Sequence, residues 1–117
     1  MSQGYEGKPD MDRRRFAVRS ERTGGDHRVQ LLGEMDLSVI GSVDREMRRA
    51  EAGDAARIVL DLDELEFLDA SGIRLLLQLN ARSNGNGRRL RITGATAPQV
   101  RRVIDLTGAA DVLPLLD

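Results

Sequence analysis

The stretch LDLDELEFLDASGIRLLLQLN, residues 60–80, sets five carboxylates ahead of one small hydroxyl residue, Ser71, followed by a glycine and an almost unbroken apolar run. Three chemistries come into question: metal binding by the acids, nucleophilic catalysis by Ser71, and covalent modification of its hydroxyl. A calcium loop of the EF-hand kind needs an oxygen ligand where Leu65 stands and a bidentate glutamate where Gly72 stands. The acids therefore make a poor cage. A hydrolytic serine needs a base within reach, and the chain has one histidine, His27, while Asp69 occupies a position where a G-x-S-x-G elbow needs glycine. One histidine and no cysteine are also too few for a zinc site. Neither a G-x-G-x-x-G turn nor a P-loop is present, and NGNG reads as a helix stop followed by a turn. No enzymatic activity and no cofactor are expected.

Modification of Ser71 remains, beside the simpler reading of DASG as a helix start. At such a start Asp69 or Ser71 accepts hydrogen bonds from free backbone N–H groups. Ile73, Leu75, Leu76, Leu77 and Leu79 cover most of the following helix, leaving Ser71, Arg74, Gln78 and Arg82, at offsets of three, seven and eleven, as its polar stripe. Ser71 is thereby expected at the exposed tip of that stripe. A helix N-terminus tolerates an anion, and a phosphate there would add roughly −1.5 to −2 charges.

The elements that position this tip follow from the rest of the chain. A length of 117 residues fits one domain. Residues 1–12, with Gly4, Gly7 and Pro9, are expected to form a disordered leader, and residues 13–117 the domain. FAVRSER and HRVQLLG, separated by TGGD, predict a hairpin. Ile40, Val43, Met47 and Ala50 recur at helical spacing, and Gly53 suits the left-handed position after a helix. RIVLDL predicts a central strand buried on both faces, containing Ile58, Val59 and Leu60. DELEFLD then crosses to the helix of Ser71, whose Ile73, Leu76 and Leu77 are expected to pack on the sheet. RRLRITG predicts a further strand. TAPQ, from Thr96 to Gln99, has the pattern of a capping box, with Pro98 in the first turn of a last helix that carries Val100, Val103 and Ile104 on one face and is closed by Gly108. The fold class is α/β: a mixed sheet of about four to five strands with an initial hairpin, packed by helices.

Composition limits the partners. Hydrophobic residues make up 40% and charged residues 32%, and no apolar run approaches the ~18 residues that span a bilayer, so no membrane insertion is expected. The basic cluster of MSQGYEGKPDMDRRR has no apolar segment after it, unlike a secretory signal, and a cytoplasmic location is expected. The net charge is −1, the basic residues are interleaved with acids, and aromatics are only 3%, so direct nucleic-acid binding is not expected.

The segments LLGEMDLSVIGSV, RIVLDLDELEFLDASGIRLLL and RVIDLTGAADVLPLL resemble the anti-sigma factor antagonists, single-domain bacterial members of the STAS family, in order and spacing from about Phe16 to Leu116. The resemblance implies a STAS-type fold and a partner-switching function. It implies that Ser71, the serine directly before the glycine, is phosphorylated by a partner that is both anti-sigma factor and serine kinase of the histidine-kinase-like ATPase fold. The unphosphorylated form binds that partner and releases a sigma factor, and a PP2C-type phosphatase restores it. Glu34 and Asp36 of the GEMD turn, with Asp69, Gly72, Arg74 and Gln78, match positions of the partner-binding face; on the residues alone, Asp36 is read as a helix cap. Two departures stand out: sporulation-type members carry glycine at the positions of Arg74 and Gln78, and Ala70 stands where a second serine is common. The same fold also serves as a constitutive scaffold of stress-signalling complexes or a subunit of lipid-transport complexes, which is the alternative function.

Overall fold

The computed structural model describes residues 15–116, so the expected leader, residues 1–12, lies outside the described residues. Strand β1 (Phe16–Thr23) and strand β2 (Asp26–Met35) form the expected antiparallel hairpin around Gly24, which takes a left-handed φ of 60°. A 3-10 turn, Leu37–Val39, leads into α1 (Ile40–Ala52). Strand β3 (Arg57–Leu68) lies parallel to β2, and β4 (Leu90–Thr93) lies parallel to β3, giving a mixed four-stranded sheet in the order β1-β2-β3-β4. Between β3 and β4 runs α2 (Ala70–Asn84), and α3 (Pro98–Leu106) follows β4.

The core forms where one face of the sheet meets the helices. Val29 and Leu31 of β2 and Ile58, Leu60 and Leu62 of β3 join Val43 and Met47 of α1, Leu76 and Leu79 of α2, and Val100 and Ile104 of α3. Alternation along β3 sends Val59 and Asp61 to the other face. Val59 is still only 4% exposed there. Asp61 is buried as the partner of Arg28, whose Nη1 donates to Asp61 Oδ2 at 2.8 Å. The central strand is thus covered on both faces, but by an ion pair on one of them.

Five expectations need correction. The acidic crossing DELEFLD is not a loop: β3 continues to Leu68. Register shifts between Gln30 and Leu32 and between Gly33 and Glu34 break strict alternation, so Leu62, Leu65 and Leu68, three apart, all turn inward, a spacing that hides the strand from a period-two reading. Gly53 is extended (φ −85°, ψ −175°) rather than left-handed. Thr96 does not cap α3, whose N-cap is Ala97. Gln99 is used elsewhere: its Oε1 accepts from Leu68 N and its Nε2 donates to Leu68 O, both at 3.0 Å. Leu77 does not pack on the sheet, because the exposed arc of α2 is broader than the polar stripe and includes it at 37% exposure. Arg82 leaves the stripe and bridges to α1, with Nη1 2.8 Å from Asp44 Oδ1 and Nε 3.1 Å from Glu51 Oε1.

Candidate functional site

Because β2 and β3 are parallel, their C-terminal ends reach the same edge of the sheet, with Glu34 beside Phe67 and Met35 beside Leu68. Each strand there turns into a helical segment through an Asp-x-Ser corner. At the first corner Asp36 Oδ1 accepts from Ser38 N at 2.9 Å and Ser38 Oγ at 2.6 Å. At the second, Asp69 Oδ1 accepts from Ser71 N at 3.0 Å, Gly72 N at 3.3 Å and Ser71 Oγ at 2.5 Å. The two corners use the same local chemistry. An aspartate satisfies the orphan donors of a helical turn, and the serine two residues on sends its hydroxyl proton into the same carboxylate oxygen.

This settles which residue caps α2. Asp69 is the N-cap in extended conformation, and Ser71 is a donor in the first turn. The Ser71 hydroxyl is half-buried, not fully exposed, and is held by a carboxylate instead of holding the helix. Gly72 is buried; a Cβ there would lie 3.2 Å from Leu68 Cβ and 3.5 Å from Met35 Sδ, so its lack of a side chain lets α2 start close against the ends of β2 and β3. Glu34 is exposed and Asp36 is half-buried. Arg74 and Gln78 are exposed one and two turns along α2. The structure therefore brings Glu34, Asp36, Asp69, Ser71 and Arg74 to one edge, places Gln78 further along the helix, and puts Gly72 beneath them.

Apolar residues that the sequence reading did not single out complete this edge. Leu37 follows Asp36 and is 73% exposed, and Phe67, beside Glu34 in the sheet, is 36% exposed. They place apolar surface at this edge in a setting of carboxylates, and Leu77 adds an exposed apolar residue further along α2, level with Gln78. A signal for Leu37 was available: a leucine between two cap residues of a turn has no core to reach. Phe67 had none, because its orientation depends on the shifted register of β3.

The one imidazole lies far from Ser71. His27 is the second residue of β2, and the eight residues from there to Met35 span roughly 26 Å of strand at about 3.3 Å each, so the one imidazole is at the far end of the sheet. Among the described residues, no group of three His, Cys, Asp or Glu side chains is placed to hold a metal ion. No helix among them is long and apolar enough to cross a membrane. A cavity of about 420 Å³, lined by residues including Asn80, Asn84, Arg88 and Arg91, lies along the C-terminal half of α2, away from Ser71.

The chain is similar to proteins already known. The family model described as Mlab, STAS domain matches residues 18–116. An anti-sigma F factor antagonist from Paenibacillus polymyxa is 30% identical over 90 residues, which is 76% of this chain and 76% of that protein. The crystal structure of an anti-sigma factor antagonist from Mycobacterium paratuberculosis superposes with a TM-score of 0.75 at 25% identity, covering 86% of this chain and 85% of the other. The antagonist SpoIIAA in its unphosphorylated form, at 21% identity, shares the fold with a TM-score of 0.71 over 86% of this chain and 89% of its own.

Proposed function

The chain belongs to the STAS domain family, and from that premise we propose that it is an anti-sigma factor antagonist whose switch is phosphorylation of Ser71. The observation that carries the reading is the Asp69–Ser71 corner, a hydroxyl at the positive end of α2, at an edge where apolar Leu37 and Phe67 are exposed. In the unphosphorylated state this edge docks on the anti-sigma factor and displaces the sigma factor. Leu37 and Phe67 supply the apolar contact, with Glu34, Asp36, Arg74 and Gln78 as its polar surround.

The partner is also the kinase. Ser71 Oγ attacks the γ-phosphorus of ATP, the bond to ADP breaks, and the hydroxyl proton passes to a base of the kinase. The product places about −1.5 to −2 charges beside the Asp69 carboxylate that formerly accepted the hydroxyl's hydrogen bond. Repulsion turns the phosphoryl oxygens outward, where Arg74, three residues on and without a bonded partner among the described residues, can pair with them. An interface shaped for a neutral hydroxyl then has to desolvate a dianion, and it dissociates. A PP2C-type phosphatase in the cytoplasm resets the cycle.

The test captures the partner from the native cell, incubates it with this chain and ATP, and locates phosphate by mass spectrometry. Phosphoserine at 71, tight binding by Ser71→Ala and at least tenfold weaker binding by Ser71→Asp are expected, the last equal to about 1.4 kcal/mol. Equal affinity of both variants, with no phosphate at 71, would instead identify a constitutive scaffold or lipid-transport subunit.

A further inference from the structure

The outer edge of β1 has an order of its own. Glu34 N donates to Arg15 O at 2.9 Å, and the register pairs Phe16 with Gly33, which makes the odd-numbered residues of β1 the ones that exchange hydrogen bonds with β2. The N–H and C=O groups of Phe16, Val18, Ser20 and Arg22 therefore point away from the sheet along an eight-residue strand that has no bulge in its pairing with β2. Most of β1 is exposed. Natural edges are usually blunted by charged side chains, proline or bulges. Here the charges on the face away from the helices are Arg19 and Glu21, of opposite sign and two residues apart. Neither makes an ion pair among the described residues; Glu21 accepts only from Thr23 Oγ1, at 3.3 Å.

We propose that β1 is a self-association edge, at which two copies of this chain pair their β1 strands antiparallel about a two-fold axis through Ser20. In that register Arg19 of each copy lies directly opposite Glu21 of the other, twice, as non-hydrogen-bonded neighbours whose side chains approach closely. Phe16, Val18, Ser20 and Arg22 supply the backbone bonds. The neighbouring registers are penalised by the same charges. A slip by two residues in total puts Arg19 on Arg19 in one direction and Glu21 on Glu21 in the other, and a further slip puts Arg22 on Arg22. One sequence of charges thus favours one pairing and opposes its two nearest competitors.

The helices leave room for it. Helix α1 packs across β1 and β2 alike. With strands about 4.8 Å apart, α1 and its copy would lie about 10 Å from each other across the axis, at the upper end of ordinary helix–helix packing distances. The interface is isologous and joins two four-stranded sheets into one of eight. Because Ser71 follows β3, two strands away from this edge, both corners stay open in the dimer.

Sedimentation velocity across a concentration series tests the proposal. Wild type is expected to dimerise reversibly, and more weakly as salt is raised. Arg19→Glu should weaken dimerisation at least about tenfold, and Arg19→Glu combined with Glu21→Arg should restore it, with circular dichroism showing all three folded. A wild type monomeric up to about 1 mM would overturn the proposal. So would an Arg19→Glu variant that dimerises as well as wild type, or a folded double variant that stays monomeric.

Discussion

At the corner where β3 meets α2, two polar residues separated by Ala70 carry different loads. Asp69 satisfies the backbone donors of α2, so Asp69→Ala should cost about 0.5–2 kcal/mol in a denaturant melt. Ser71 only donates to that aspartate, and Ser71→Ala should change stability by less than about 0.5 kcal/mol. A pair of melts separates cap from switch: equal losses in the two variants would mean that the serine supports the helix. Arg74 should behave as a surface residue until a phosphate is present. Arg74→Ala is expected to leave the melt unchanged and to alter partner affinity or the rate of phosphorylation. The DASG string showed that a cap existed, but not which side chain donates and which accepts. That assignment depends on the backbone angle at Asp69, a consequence of how β3 ends.

Among the elements, the helices were readable because their apolar spacing matches a single period, and the first half of β3 because it is a continuous apolar run. The second half of β3 was not, since bulges in its pairing with β2 convert period two into period three. The capping pattern at Thr96 failed for another reason, because Gln99 is bound to Leu68 across the fold, a contact that no local pattern announces. Leu76 is fully buried between α2 and the sheet, and Leu76→Ala should cost about 2–5 kcal/mol. Leu77, one position on, should tolerate alanine with little loss of stability while weakening partner binding. Thermal melts and binding of the two variants side by side distinguish the buried arc of α2 from its docking arc.

For the molecule as a whole, carboxylates held by arginines set its response to acid. Burial works against the charge of Asp44, but the hydrogen bond from Arg48 and the ion pair with Arg82, 2.8 Å away, outweigh it and hold its pKa below 3.8. Asp26 is lowered chiefly by its hydrogen bonds from Arg57, and Asp54 by that from Arg22. A lowered folded-state pKa contributes stability that is present above the unfolded value, near 3.8, and is lost as pH falls through the folded one. Urea midpoints should hold from neutrality to about pH 5 and fall towards about pH 3, and the fall should shrink in Arg82→Ala, which removes the link between α1 and α2. The Gln99 carboxamide has a different consequence. It meets both backbone groups of Leu68 as a neighbouring peptide would, at a level of the sheet that β4, ending at Thr93, does not reach. The Leu68 amide is then a spectroscopic witness: its hydrogen-exchange rate reports whether α3 is seated, and it is one residue from Asp69. Substituting Gln99→Glu keeps an acceptor but removes the donor, and should speed exchange at Leu68 while the amides of Leu60 and Leu62 stay slow.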